Sequence, residues 1–251
     1  MSDLDLCWKV EAACAAAWPA ESSTKHNGWL FNCTEGTASR RINSVNPTKY
    51  HTSADAKLVD VAVAHYSELK KDTIFRIPEM ISEIEPLLDQ SGFGEADTRT
   101  LTLLAPDIAD FEWHNDVTIT AQPKENWLDF ALDRSHFSPQ HRLPFRQALL
   151  GIGYPVLFGM IEEDEVPTAI AYAVIVENIA IIESVETKPQ FRRQGRAARL
   201  VGSLLAKSRS LGATKAALQV IAENDGAISL YKELGFSTEL YAYHYRKLEL
   251  S

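Results

Sequence analysis

The pattern of hydrophobic and polar positions divides the chain into interleaved helices and strands. It predicts helices over 4–18, 54–69, 81–91, 124–133, 139–150 and 197–208. It predicts strands over 28–33, 40–45, 73–77, 98–104, 117–120, 155–161, 168–176, 179–187 and 216–221. Elements in this order indicate an α/β protein, in the broad sense that includes α+β folds.

The order of the elements repeats once along the chain. Gly92-Phe93 recurs as Gly235-Phe236, 143 residues later, and Pro47 recurs as Pro189, 142 residues later. Each half runs strand, X-Pro, helix, strand, helix, Gly-Phe, strand, which indicates an internal duplication. An α/β chain that shares this order by coincidence is the alternative. We expect two rigidly packed units joined near residues 105–115.

Composition describes an acidic protein of ordinary hydrophobicity. Its 251 residues are 45% hydrophobic and carry a formal net charge of −9, so we expect no nucleic-acid surface. Cys7, Cys14 and Cys33 are few and odd in number, so buried free thiols are the expected state. With no basic leader, no bilayer-length apolar run and no metal-ligand spacing, we expect a cytoplasmic monomer or homodimer without membrane contact or bound metal.

A glycine among arginines precedes the helix predicted over 197–208. The segment reads Arg192-Arg193-Gln194-Gly195-Arg196-Ala197. Glycine lets a diphosphate approach the backbone, and the first N–H groups of a helix have no intrahelical partner, so they bind anions. In an acidic protein, this local positive charge indicates a polyanionic cofactor. The string alone also occurs at ordinary helix N-termini.

A second string makes the signal specific. It reads Asn224-Asp225-Gly226-Ala227, followed by Tyr231 and by Gly235-Phe236. Together the strings resemble the signature of the GNAT superfamily of acyl-CoA-dependent N-acetyltransferases. The resemblance covers about residues 117–251. It implies two GNAT-like units, each a mixed, mostly antiparallel twisted sheet flanked by helices, with a degenerate unit at 1–115 and a catalytic unit at 116–251.

The resemblance also implies an acetyl-CoA site. In the GNAT fold the fourth and fifth strands, here 179–187 and 216–221, splay apart so that pantetheine pairs with the fourth. The implied CoA-binding residues are Val185, Glu186, Thr187, Arg192, Arg193, Gln194, Gly195, Arg196, Ala197, Asn224, Ala227 and Tyr231. Tyr231 is the implied general acid, because a phenol stays protonated at neutral pH. Asn224 is also a favoured helix N-cap, and the two roles are compatible.

The general base is less specified. Glu183 and Glu186 have opposite parity on the predicted strand, so a regular strand would turn only one of them toward the cleft. Glu183 shares the parity of Val185 and Thr187 and is the expected base, with simple solvation as the alternative. The remaining candidates are His136, His141 and Glu223.

The first unit lacks the features that hold CoA. It has Tyr50, Ser53, Asp55 and Leu88 at the positions equivalent to the arginine, glycine, alanine and tyrosine of the second unit. We therefore expect one active site per chain. The first unit would then serve as a scaffold, a lid or a wall of the acceptor site.

Candidates for acceptor contact lie in both units. Gly28-Trp29 and the segment from Arg40 to Pro47 resemble a subgroup of tandem GNAT proteins. Adjacent arginines beside an asparagine are suited to bind a carboxylate, and a salt-bridged strand edge is the alternative. The candidate substrate residues are Trp29, Arg40, Arg41, Asn43, Trp127 and Gln219. Side chains on the expected acceptor-side helices, with core packing as the alternative, are Phe130, His136, Phe137 and His141.

Taken together, these residues indicate an N-acetyltransferase. The acetyl group of acetyl-CoA would pass to a primary amine of a small molecule or an amino acid, by direct attack in a ternary complex. A peptide or protein N-terminal acetyltransferase and a non-catalytic acyl-CoA sensor stay open, although the intact Tyr231 argues against the sensor. The sequence names neither the acceptor nor the acyl-chain length.

Overall fold

The helices and strands follow the hydrophobic pattern closely. The structure is a computed structural model that describes residues 3–134 and 142–250. Its strands are β1 (Ser22–His26), β2 (Trp29–Cys33), β3 (Val45–Pro47), β4 (Thr73–Pro78), β5 (Thr100–Ala105), β6 (Val117–Thr120), β7 (Val156–Glu163), β8 (Val166–Val176), β9 (Ile179–Thr187), β10 (Lys215–Ile221) and β11 (Thr238–Leu248). Its α-helices are α1 (Asp3–Ala17), α2 (Ala56–Glu68), α3 (Glu85–Gln90), α4 (Glu125–Arg134), α5 (Arg142–Leu150), α6 (Arg196–Ser210) and α7 (Asp225–Glu233).

Two local predictions differ from the structure. The strand predicted over 40–45 is wrong in its first part, where Arg40–Ile42 forms a 3₁₀ helix and β3 starts only at Val45. The Ser44 hydroxyl donates to the Arg40 carbonyl, and such local side-chain bonds compete with strand pairing. The helix predicted over 81–91 begins as the 3₁₀ helix Glu79–Ile84 and becomes α-helical only at the proline-containing start of α3.

The eleven strands found in residues 3–134 and 142–250 all join one mixed sheet. Its order is β1-β2-β3-β4-β11-β5-β10-β9-β8-β7-β6, with parallel pairing between β3 and β4 and between β9 and β10. The other pairs are antiparallel, which confirms the mixed, mostly antiparallel fold class. Since β11 lies between β4 and β5, and β5 lies between β11 and β10, each half places one strand inside the sheet of the other. The division of the chain at residue 115 stays a prediction.

The register of these exchanged strands has internal two-fold symmetry. Pro78 of β4 pairs with Tyr243, and Ile221 of β10 pairs with Thr100. Ile221 lies 143 residues beyond Pro78, and Tyr243 lies 143 beyond Thr100, so one pairing repeats the other. The same relation holds along the rest of both ladders. Thr100 also pairs with Tyr243 itself, which places a pseudo-two-fold axis between β5 and β11.

Helices cover both faces of the second half of the sheet. On one face, α6 and α7 pack through Leu200, Leu204 and Tyr231. On the other, Ala13 of α1 lies in one apolar cluster with Trp127 of α4 and with residues of α5. Helix α1, from the first half of the chain, therefore covers one face of the sheet in the second half. No helix in the described ranges is long and apolar enough to cross a membrane.

An ion pair in the interior fastens α1 to both halves. Glu11 of α1 accepts hydrogen bonds from Arg76 of β4 at 2.6 and 2.9 Å and from the Tyr241 hydroxyl of β11 at 2.6 Å. All three side chains are buried. Burial acts to raise the pKa of Glu11, but Arg76 and the bonds from Arg76 and Tyr241 lower it overall. The carboxylate is therefore held charged in the interior.

Substitution of Glu11 tests this anchor. Glu11→Ala leaves Arg76 buried without its counter-ion, so we expect the free energy of unfolding to fall by about 3–5 kcal/mol in urea titrations. The control is Glu177→Ala, which breaks an exposed ion pair with Lys9 and should cost less than about 1 kcal/mol.

The effect of Glu11→Ala also depends on pH. A lowered folded-state pKa adds stability that is present above the ordinary value of 4.5 and is lost as pH falls through the folded value. The difference in the free energy of unfolding between the wild type and Glu11→Ala should therefore become smaller below pH 4.5. A gap that widens on acidification would contradict this account of the ion pair.

Candidate active site

An opening in the sheet lies between β9 and β10. Their parallel pairing runs from Ile179 with Lys215 to Ile182 with Leu218 and then stops, although both strands continue. The predicted splay is therefore present. Beyond Ile182, the edge of β9 that faces β10 has backbone N–H and C=O groups that an extended ligand can bind.

A bulge changes the direction of side chains on β9. Ser184 has φ 52°, and Ile170 and Tyr172 of β8 pair with Glu186 and Glu183, so two steps on β8 match three on β9. The extra residue places Glu183 and Glu186 on the same face. Val185 packs against the opposite, α6-side cluster. The predicted parity of Glu183 with Val185 is therefore wrong, because it assumed a regular strand.

The glycine turn opens onto a large cavity. Gly195 is the N-cap of α6 with φ 71°, and no side chain caps the helix there. The cavity has a volume of about 870 Å³ and lies between β9, the turn, α6 and α7. Its wall consists of Val185, Glu186, Thr187, Phe191, Arg192, Arg193, Gly195, Arg196, Ala197, Ala198, Asn224, Gly226, Ala227, Ser229, Leu230, Tyr231 and Glu233. Of the residues predicted to bind CoA, Gln194 alone is missing from this wall.

The arginines of the turn differ in their environment. Arg196 is buried; it pairs with Glu163, donates to the Thr168 hydroxyl at 2.9 Å and lies over the Phe191 ring at 4.6 Å. It fastens the start of α6 to β7 and β8. Arg192 and Arg193 are exposed at the cavity. Arg192 lies 3.4 Å from the Glu186 carboxylate in the same wall, which compensates part of its charge.

The second signature string builds α7. The Asn224 side chain accepts the Ala227 N–H at 3.2 Å, which confirms Asn224 as the helix N-cap. Tyr231 is 8% exposed in the cavity wall, and its ring packs edge-on against Phe236 at 5.9 Å. The Gly-Phe pair of the signature thus has a structural reason, since Phe236 supports the tyrosine.

Glu183, which is buried, and Arg41, which is partly exposed, form one ion pair. The two Arg41 terminal nitrogens donate to the two Glu183 carboxylate oxygens at 2.6 and 2.9 Å. These residues are 142 apart and so hold equivalent positions in the repeat. Burial acts to lower the pKa of Arg41, but Glu183 keeps it well above its ordinary value. A base and a carboxylate-binding residue were predicted separately here, and the structure brings them together as partners.

Four other residues predicted to contact the substrate make contacts within the protein instead, and two of these are polar. Arg40 pairs with Asp97 and lies over the Tyr245 ring at 4.8 Å. The Asn43 amide donates to two loop carbonyls and accepts from Lys71, which holds its own loop together.

Both candidate tryptophans belong to the core. Trp29 and Trp127 are 1% exposed, and their indole N–H groups donate to backbone carbonyls at 3.2 and 3.0 Å. Phe130 is buried as well. His136, Phe137 and His141 lie outside the described residues. Glu223 precedes the N-cap of α7 and is exposed.

Gln219 contributes to a second cavity on the α1 face. With Arg41 it lines a space of about 400 Å³ that also involves Arg76. Arg76 was missed by the sequence reasoning, although it lies 143 residues before Gln219 and the repeat offset could have pointed to it. Within the described ranges, no group of three His, Cys, Asp or Glu side chains is placed to hold a metal.

The first unit differs at the helix start that corresponds to α6. The Asp55 side chain caps α2 by accepting the Leu58 N–H at 2.8 Å. A carboxylate therefore caps α2, whereas the N-cap of α6 is a glycine, although the repeat offset of 142 pairs Asp55 with Ala197 and Ser53 with Gly195. This end of α2 is already satisfied and carries negative charge.

Sequence comparisons agree with this geometry. A family model described as the C-terminal region of the probable histone acetyltransferase Rv0428c matches residues 7–246. A protein of Bacillus subtilis (strain 168), described as the uncharacterized N-acetyltransferase YobR, is 24% identical over 252 residues, which cover 95% of this chain and 97% of YobR.

Solved structures share the fold over nearly the whole chain. A GCN5-related N-acetyltransferase from Kribbella flavida superposes with a TM-score of 0.70 at 16% identity, over 97% of this chain and 96% of that one. A tandem GNAT protein from the clavulanic acid biosynthesis pathway gives 0.63 at 10% identity, over 96% and 87%. The chain belongs to the acetyltransferase family of the Rv0428c C-terminal region and is an N-acetyltransferase of the GNAT type.

Proposed function

We propose that the chain transfers the acetyl group of acetyl-CoA to the primary amine of a small molecule or an amino acid. The observation that carries this proposal is the cavity of about 870 Å³ in which the uncapped start of α6, the open edge of β9 and Tyr231 meet. Free, buried Cys7, Cys14 and Cys33 support a reducing compartment such as the cytoplasm.

The donor would lie across this cavity. The CoA diphosphate binds the first N–H groups of α6 beside Arg192 and Arg193, and pantetheine pairs with β9 beyond Ile182.

Transfer would proceed in one ternary complex. The neutral amine attacks the thioester carbonyl, the C–N bond forms, the C–S bond breaks, and the Tyr231 hydroxyl gives its proton to the thiolate. Glu183 is the proposed base for the amine proton. Arg41 binds one lone pair on each Glu183 oxygen, so the amine proton would go to a remaining lone pair, directly or through a water.

A peptide or protein N-terminus is the second candidate acceptor. The description of the family as a probable histone acetyltransferase favours a protein substrate. A CoA-release screen with pooled amines, amino acids and peptides separates the two. Binding of acetyl-CoA without CoA release for any acceptor would instead indicate an acyl-CoA sensor.

Gly195→Glu tests the donor site. The carboxylate would repel the diphosphate and the side chain would fill the turn, so we expect calorimetry to show no acetyl-CoA binding, against one site per chain in the wild type. The control variant is Ser53→Glu, at the exposed position of the first unit that the repeat offset pairs with Gly195. This variant should bind acetyl-CoA as the wild type does. Two equivalent sites in the wild type would contradict the proposal.

Tyr231→Phe tests protonation of the leaving thiolate. Removal of the hydroxyl should lower kcat by about 10²–10⁴-fold and leave the affinity for acetyl-CoA almost unchanged. Tyr154→Phe, at an exposed tyrosine, is the control and should retain full activity. Normal turnover by Tyr231→Phe would mean that another group protonates the sulfur.

A further inference from the structure

The second cavity opens on the face of the sheet opposite to the donor cavity. It has a volume of about 400 Å³, in the range of small-molecule sites. Its wall is mostly apolar and includes Trp8, Cys14, Trp18 and Leu30. Among the described residues, Gln219 is the one in this wall that comes from the second half of the chain. The cavity thus belongs to the first unit but reaches the second.

The repeat explains why the two units meet here. Arg76 is equivalent to Gln219, and Arg41 is equivalent to Glu183, at offsets of 143 and 142 residues. Glu183 and Gln219 are the first residues beyond the last pair of β9 and β10. In the first unit, β3 and β4 likewise pair in parallel at a single point. The cavity therefore lies at the splay of the first unit and adjoins the splay of the second.

Charge in this wall is fully compensated. Arg41 is paired with Glu183, Arg76 with Glu11, and Lys49 with Asp5 at 2.7 Å. A carboxylate on a ligand would have to share one of these cations with the acidic partner already bound to it, and the two like charges would repel each other. The wall therefore favours a ligand whose body is apolar and uncharged.

One polar group in the wall lacks a partner. The Gln219 carbonyl oxygen accepts the Tyr243 hydroxyl at 3.2 Å, which leaves the amide nitrogen to point elsewhere. That nitrogen is buried and has no hydrogen-bond partner among the described residues. An unpaired buried donor costs free energy, so a rotation of the Gln219 side chain that turns this nitrogen into the cavity would let it donate to a neutral carbonyl or hydroxyl oxygen of a ligand.

We infer that this cavity binds the acceptor, and that the acceptor is an amine with an apolar, uncharged body and one neutral oxygen that accepts a hydrogen bond from Gln219. This inference rests on the proposed function. The amine nitrogen reaches the splay beside Glu183, where it forms the C–N bond while the C–S bond breaks on the donor side. Arg41 then holds Glu183 rather than a carboxylate of the substrate.

Three matched amines test the substrate class by CoA release. Phenylalaninamide has the amine, the ring and a neutral carbonyl; phenethylamine lacks the carbonyl; phenylalanine carries a carboxylate. An α-amino group beside a carboxamide is less basic than the amine of phenethylamine, so kcat/KM is compared per neutral amine. On that scale we expect phenylalaninamide to exceed phenethylamine by about 10–100-fold, the usual effect of one buried hydrogen bond. Phenylalanine should be poorer than phenylalaninamide by at least about 100-fold.

Gln219→Leu separates a specificity role from a structural one. The variant should react with phenylalaninamide and phenethylamine at similar kcat/KM and keep the wild-type KM for acetyl-CoA. Loss of the bond from the Tyr243 hydroxyl lowers Tm but does not by itself change the ratio between the two amines. Gln90→Leu, at an exposed position on α3, is the matched control and should keep the preference. A preference that survives in Gln219→Leu would overturn the role of Gln219.

The remaining outcomes distinguish this inference from the proposed function. Faster transfer to phenylalanine than to phenylalaninamide would overturn the uncharged substrate class. Absence of transfer to all three amines, with acetyl-CoA bound at one site, would overturn it as well and leave the donor site intact. Failure of the wild type to bind acetyl-CoA would contradict the proposed function and this inference with it.

Discussion

Backbone pairing between β5 and β11 holds the two halves of this protein in one sheet. Each of these strands has its second neighbour in the other half, since β5 pairs with β10 and β11 pairs with β4. Neither half therefore completes its own sheet. The shared register fixes the distance between the two splays, and this is what allows Arg41 of the first unit to contact Glu183 at the proposed active site of the second.

Near the pseudo-two-fold axis, equivalent positions face each other, and this constrains their chemistry. Two copies of the same ionised residue would place like charges together in a buried site, which is strongly unfavourable. The chain has Arg41 opposite Glu183 instead, and the resulting ion pair fastens the units to each other. In the same way Arg76 and Gln219 differ, and Glu11 of α1 balances the remaining charge. The charged side chains of the cavity on the α1 face, where we propose that the acceptor binds, are therefore paired with opposite charges.

The sequence predicted features that depend on local chemistry. The glycine turn at Gly195, the N-cap at Asn224 and the position of Tyr231 follow from short strings, and the residues around them meet in one cavity. The bulge at Ser184 has no sequence marker, so the parity of Glu183 was predicted wrongly. Strand exchange depends on pairing between distant segments, which periodicity does not encode. Packing between distant segments also decides whether Trp127 lies in a substrate site or in the core, so the sequence could not distinguish these two positions.

The most direct measurement of the central claim is a crystal structure with CoA and phenylalaninamide bound together. The account predicts one CoA per chain, with its diphosphate at the start of α6 and its sulfur near Tyr231. It predicts phenylalaninamide on the opposite face of the sheet, with its carbonyl on the Gln219 amide and its amine at the splay. CoA at the start of α2, or phenylalaninamide between α6 and α7 with the cavity on the α1 face left empty, would contradict it.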